Sequence, residues 1–177
     1  MDTTDALLVK RWKSGDAAAV TQICERYTGT LYAVAYAVLG DSSLAEDAVQ
    51  EAYTRATANF GALDRVERLG PWLVSVARHA ALDVARKRRR EEPFGSRDAT
   101  VLRTPHADAV RTELREQLRQ AIGRLPEDQR EVFALKYIAG LRYAEIAHAV
   151  GTTPEAVSQK LWRIRQRLQE ELKEFRP

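Results

Sequence analysis

Apolar residues recur along most of the chain at intervals of three and four, and strand-like alternation is not found. That pattern predicts amphipathic helices throughout. It is clearest over residues 143–168. Ala144, Ile146, Ala147 and Val150 make one apolar stripe, and Gly151 follows where a helix can end in the left-handed backbone that glycine takes without steric cost. Thr152 and Thr153 are candidate N-caps, Pro154 suits a first helical position, and Glu155 stands three residues after Thr152 as in a capping box. Val157, Leu161, Ile164 and Leu168 then give a second buried face, leaving Glu155, Ser158, Gln159, Trp162, Arg163 and Gln166 outward. Two short helices at a tight turn predict a helix-turn-helix whose outer face suits a major groove. An ordinary helical hairpin with a solvated face fits the same stretch.

The earlier segments divide in the same way. Leu8, Trp12, Val20, Ile23, Tyr27, Leu31, Val34 and Val38 predict two helices broken at Ser14-Gly15-Asp16. After a break at residues 40–43, Ser43 and Glu46 have capping-box spacing, which predicts a helix over 44–60. Its buried stripe is Val49, Tyr53, Ala56 and Phe60, while Asp47, Gln50, Glu51 and Thr54 line another side. Residues 61–70 read as a connector. Pro71 opens a helix with Leu73, Val76, Ala77, Ala80 and Val84 inside and Trp72, Ser75, His79, Asp83 and Arg86 outside; it runs into the basic run Arg86, Lys87, Arg88, Arg89, Arg90. Residues 91–108 hold prolines and turn formers without periodicity, the composition of a flexible linker. Leu114, Leu118 and Ile122 begin a further stripe, Leu125-Pro126 starts the next helix with Val132, Phe133 and residues 135–138 as its core, and Gly140 ends it. The expected fold is all-α: two small helical domains, residues 1–90 and 109–177, joined by the linker 91–108, the second carrying the helix-turn-helix.

Composition narrows the function. The 177 residues suffice for two small cores, and the formal charge of +3 says little until its distribution is read. Cations concentrate at 86–90 and 160–167, acids at Glu46, Asp47 and Glu51, a division that suits a polyanion on one surface and a basic protein on another. Two solvated faces would look the same. Cys24 stands alone, which excludes an intramolecular disulfide and a cysteine zinc site; its neighbours Val20, Ile23 and Tyr27 make it a small core hydrophobe. The N-terminus lacks a signal-peptide layout, and no apolar run approaches the roughly 20 residues that span a bilayer, so a cytoplasmic protein without membrane insertion is expected. His79, His106 and His148 lack metal-ligand spacing or an evident nucleophile partner. No catalytic residue, metal or cofactor is expected.

Three stretches in order resemble the bacterial extracytoplasmic-function (ECF) sigma factors: AEDAVQEAY from Ala45, GPWLVSVARHAALDVARKRRR from Gly70, and residues 125–168. Gly15-Asp16 matches as well, and the likeness leaves out little besides the linker. It implies a protein that binds core RNA polymerase, directs it to particular promoters and melts the upstream edge of the bubble. By resemblance the helix over 44–60 docks on an arginine-rich coiled coil of the beta-prime subunit, through Asp47, Gln50, Glu51 and Thr54. The minus-ten element falls to Trp72, Arg78, His79, Asp83, Arg86, Lys87, Arg88 and Arg89. The minus-thirty-five element falls to Ser158, Gln159, Trp162 and Arg163, with Lys136, Lys160, Arg165 and Arg167 on phosphate. Connector 61–70 corresponds to a loop that captures a flipped base. The chain departs from the pattern at His79, where Asn is usual, at Leu69, where Phe is common, at Ala156, where threonine is common, and in the connector's length. Trp72 fits core or DNA contact equally, and Trp162 fits DNA contact or packing on the neighbouring helix. An anti-sigma factor is a further implied partner, and the free chain is expected to be a monomer. A stand-alone helix-turn-helix regulator acting as a dimer is the alternative; it leaves the acidic helix unexplained.

Overall fold

The computed structural model describes residues 3–60, 69–91 and 109–173. Its helices are α1 (Thr3–Lys13), α2 (Ala17–Leu39), α3 (Ser42–Ala58), α4 (Leu69–Glu91), α5 (Ala109–Gly123), α6 (Glu127–Phe133), a π-helical turn (Ala134–Ile138), α7 (Tyr143–Val150) and α8 (Pro154–Glu171). No strand occurs among the described residues. Among them, too, no helix is long and apolar enough to cross a membrane.

The turns show why the helices stop where they do. Asp16 accepts a hydrogen bond from the Ala18 N–H at 2.9 Å and so caps α2. The next cap corrects the sequence reading. Asp41, not Ser43, takes the Leu44 N–H, at 3.1 Å, and α3 starts at Ser42. A carboxylate one position before the helix reaches the free N–H groups directly, so the box of Ser43 and Glu46 does not form. Similarly Thr153 rather than Thr152 caps α8, accepting from the Ala156 N–H at 3.3 Å.

α2, α3 and α4 pack on one another, and α3 and α4 bury many small residues there. Ala45, Ala48, Ala52 and Ala56 of α3 and Ala77, Ala80 and Ala81 of α4 are all at most 1% exposed. α4 begins earlier than Pro71 suggests: Leu69 is already helical and fully buried, so the connector's last two residues belong to the helix. A Cβ on Gly70 would meet the Tyr27 ring at 3.2 Å, which keeps that position small. Tyr27 is itself tied down, donating its hydroxyl to Asp5 at 2.5 Å. Residues 61–68 and 92–108, holding most of the proposed base-capturing loop and nearly all the expected linker, lie outside the described residues.

In the C-terminal helices the sequence reading needs two corrections. The helix after Pro126 does not continue regularly. Beyond Phe133 the backbone widens into the π-turn, with the Ala139 N–H reaching Ala134 O at 2.9 Å. The wider turn rotates the residues beyond it about the helix axis, so Val132 and Leu135 stay buried while Tyr137 and Ile138, expected in the core, are exposed. In α5, Ala121 is buried, Ile122 half-buried and Leu118 exposed, so the stripe is looser than its spacing implies.

The two groups of helices also touch. The end of α2 packs on α6 and the π-turn. The Arg130 guanidinium donates to Ala37 O at 2.9 Å, and to Gly123 O and Leu125 O at 3.4 and 3.3 Å. Arg78 of α4 meets Glu131 of α6 at 2.5 Å.

The caps give a direct check. Asp41→Ala should lower stability in urea denaturation by about 1 kcal/mol, whereas Ser43→Ala should change it by no more than about 0.5 kcal/mol. Equal losses at the two positions would contradict the assignment of the cap.

Candidate functional site

The α3 face forms as the spacing requires. Asp47, Gln50, Glu51 and Thr54 are all exposed and share one side of the helix, because Ala45, Ala48, Val49 and Ala52 bury the other. Thr54 turns its hydroxyl back to Gln50 O at 3.1 Å, leaving the two carboxylates and the amide as the outward chemistry. Glu51 is partly engaged: Arg55 donates to it at 2.7 Å and, with another nitrogen, to Asp83 of α4 at 2.7 Å. Asp83 also receives Arg86 at 3.1 Å. The hydrogen bond from Arg55 is the main reason the Asp83 carboxyl is held below its ordinary value. Glu51, Arg55, Asp83 and Arg86 thus form a chain of alternating charge from the acidic face to the basic helix. Sequence reasoning missed Arg55, although its position four residues after Glu51 was a signal.

Along α4 the predicted residues separate into two groups. His79, Asp83, Arg86, Lys87, Arg88 and Arg89 are exposed. The Nδ1 of His79 lies 2.8 Å from Ser75 O. A carbonyl only accepts, so Nδ1 carries the proton and Nε2 is the acceptor in the neutral ring. Arg88 pairs with Asp41 at 3.7 Å and Arg89 with Glu127 at 3.5 Å, from exposed arginines whose pairs water screens. Arg78 and Trp72 are placed differently from the sequence reading. Arg78 is 9% exposed and taken up by Glu131, so it faces α6 rather than the surface carrying the basic run. Trp72 is half-buried, its ring edge on Phe60 at 6.2 Å, and Phe60 stacks on Trp12 at 3.5 Å. That favours the packing reading of Trp72, and α1, through Trp12, supports it.

The helix-turn-helix is closed by Gly151, at φ +73°, and by the Thr152 N–H on Ala147 O at 2.9 Å. Val157, Leu161, Ile164 and Leu168 of α8 are buried as predicted. Gln159, Trp162, Arg163 and Gln166 are exposed at i, i+3, i+4 and i+7, one continuous outer row. Trp162 is 59% exposed, which favours an outward role over packing against the neighbouring helix. Ser158 and Lys160 are half-buried, and Lys160 pairs with Asp128 at 2.7 Å. Arg165 and Arg167 are exposed beside this row, each with a bond inside α8, to Leu161 O at 3.4 Å and to Glu171 at 3.2 Å. Lys136 corrects another expectation: its ammonium donates to Leu141 O at 3.2 Å and sits 4.9 Å from the Tyr143 ring, joining the π-turn to α7 instead of standing ready for phosphate.

Two families divide the chain along these lines. Residues 23–91 match sigma-70 region 2, and residues 115–168 match sigma-70, region 4. The ECF RNA polymerase sigma factor SigW of Bacillus subtilis is 30% identical over 94% of this chain and 96% of its own length. This chain belongs to the ECF sigma factors. SigM of the same species is also 30% identical, over 84% of this sigma factor and 92% of SigM. The sigma factor RpoE in complex with the anti-sigma factor NepR, from Bartonella quintana, superposes with a TM-score of 0.72 at 25% identity, covering 86% of this chain and 96% of RpoE. CnrH in complex with the cytosolic domain of CnrY gives 0.63 at 25% identity, over 96% and 97% of the two chains.

Because Trp162 touches little of the sigma factor's interior, Trp162→Ala should leave the thermal midpoint nearly unchanged while weakening binding to promoter duplex in a mobility-shift titration. A large loss of helicity would return the residue to a packing role.

Proposed function

We propose that this sigma factor docks on core RNA polymerase through the exposed face of α3, engages the minus-ten element with α4, and reads the minus-thirty-five element with α8. The observation that carries the reading is the division of surfaces. Two carboxylates and an amide are exposed on α3, α4 carries five consecutive exposed cations just before its last residue, and a Gln-Trp-Arg row stands exposed on the helix-turn-helix.

Each surface has matching chemistry. Carboxylates on a rigid helix form charge-assisted, often bidentate, hydrogen bonds with guanidinium groups, which suits an arginine-rich partner helix. The cations at 86–90 meet backbone phosphate, and opened bases need a stacking surface worth about 1–3 kcal/mol each; with Trp72 packed on Phe60, exposed His79 is the candidate left in α4. Gln159 and Arg163 can pair with adenine and guanine edges, at roughly 1–3 kcal/mol of discrimination per good bidentate pair. Residues 1–90 and 109–177 act as the two domains in this reading, with 91–108 as the linker. The anti-sigma partner of RpoE supports a similar partner for this chain. The work is placed in the cytoplasm, where core polymerase and promoters are, with the free chain a monomer. A dimeric regulator would leave the α3 face without a role.

Charge reversal by Asp47→Lys with Glu51→Lys tests this reading. Both side chains are exposed, so helicity by circular dichroism should hold while co-purification with sigma-free core polymerase is lost. Undiminished co-purification would overturn the docking assignment.

A further inference from the structure

Lys160 adjoins the outer row of α8, one residue after Gln159, yet its charge is matched within the protein. Its ammonium donates to the Asp128 carboxylate at 2.7 Å, the length of a charge-assisted hydrogen bond. Asp128 lies in the first turn of α6, a helix that packs on α8. The carboxylate is the more exposed partner, its side chain 62% exposed against 35% for Lys160. A pair this open to water adds little to stability. What it changes is the surface beside the row. A lone lysine there would offer DNA a cation; the pair offers no net charge.

DNA rewards a free cation through counterion release. Each phosphate that a lysine or arginine neutralises adds about 0.9 to the fall of log affinity with log salt. A phosphate brought to Lys160 must displace the Asp128 carboxylate or face its negative charge. Arg163, by contrast, stands exposed within the row. Arg167 also meets an acid, Glu171 at 3.2 Å, but that pair lies within α8 at a spacing any helix brings together. Asp128 belongs to another helix, and only the packing of α6 on α8 delivers it to Lys160.

We propose that Asp128 masks Lys160 from the DNA backbone, so that α8 holds every duplex less tightly and relies more on the base-edge contacts of its outer row. The inference rests on the assignment of α8 to duplex DNA. Phosphate contacts carry no sequence information, so the mask lowers affinity for all sequences alike. With roughly a million or more competing sites in a genome, a weaker hold on arbitrary DNA leaves more of the sigma factor free.

The test follows the full chain binding a labelled duplex of arbitrary sequence by fluorescence anisotropy, from about 50 to about 200 mM salt. Asp128→Asn should bind more tightly at low salt and steepen the salt slope by about 0.9, so that its affinity falls about three- to fourfold more than that of the unaltered chain across the range. Asp128→Asn combined with Lys160→Gln removes both charges and should restore the original affinity and slope. Were Lys160 already on phosphate, that double variant would instead lose about 0.9 from the slope, which contradicts the mask. An acid present only to support α6 would change the thermal midpoint and leave the slope alone. An unaltered slope in Asp128→Asn, the case where neither form binds included, therefore overturns the mask. Should Asp128→Asn lose helicity, Asp128→Ser takes its place, with the same outcomes. Arg163→Ala separates the two layers. If it weakens binding while the Asp128 variants change nothing, the mask alone fails; if it too changes nothing, the assignment of α8 to duplex fails beneath it.

Discussion

Three helices meeting on alanine set the geometry of the N-terminal half. Ala45, Ala48, Ala52 and Ala56 of α3 and Ala77, Ala80 and Ala81 of α4 are all buried where these two helices pack, and interaxial distance follows side-chain size. Close approach leaves no room in the seam for a long polar side chain. Asp47, Gln50 and Glu51 are thus confined to the outer side of α3, and the basic run 86–90 to the exposed last turns of α4. The seam's rim is where the two meet, and there Arg55 bridges Glu51 and Asp83. Surface chemistry in this half is a consequence of what the core excludes.

The C-terminal half solves a different problem, presenting one helix at full length. Thr153 and Pro154 start α8, four apolar residues anchor it, and Gly151 turns the chain so that α7 supports it from behind. The π-turn has a part in this. By widening the helix after Phe133 it frees Lys136 to close on Leu141 O and the face of Tyr143, which fixes the entry to α7. The cost is two large apolar side chains, Tyr137 and Ile138, left at the surface.

Much of this was legible in the sequence because helical periodicity is a strong signal over long segments. The break at Ser14-Gly15-Asp16, the buried face of α8 and the exposed side of α3 all follow from spacing alone. Three kinds of feature did not. The choice among neighbouring cap residues, Asp41 against Ser43 and Thr153 against Thr152, turns on which side-chain oxygen reaches a free N–H, a matter of one residue of register. The π-turn adds a residue to a helical turn, and a period of 3.6 carries no mark of it. Arg78 and Lys136 looked like ordinary cations of nucleic-acid-facing helices. Their partners, Glu131 and Leu141 O, are set by tertiary packing and turn geometry, which a linear pattern does not contain.

The proposed function depends on a division of surfaces, one set for the polymerase and another for the promoter. Reconstituted transcription from promoters of the chain's own genome, with sigma-free core polymerase and the purified chain as the sole initiation factor, tests it most directly. Discrete start sites should appear only when the chain is added, preceded by shared motifs near positions minus ten and minus thirty-five. Transcripts without defined starts, or starts indifferent to the chain, would contradict it.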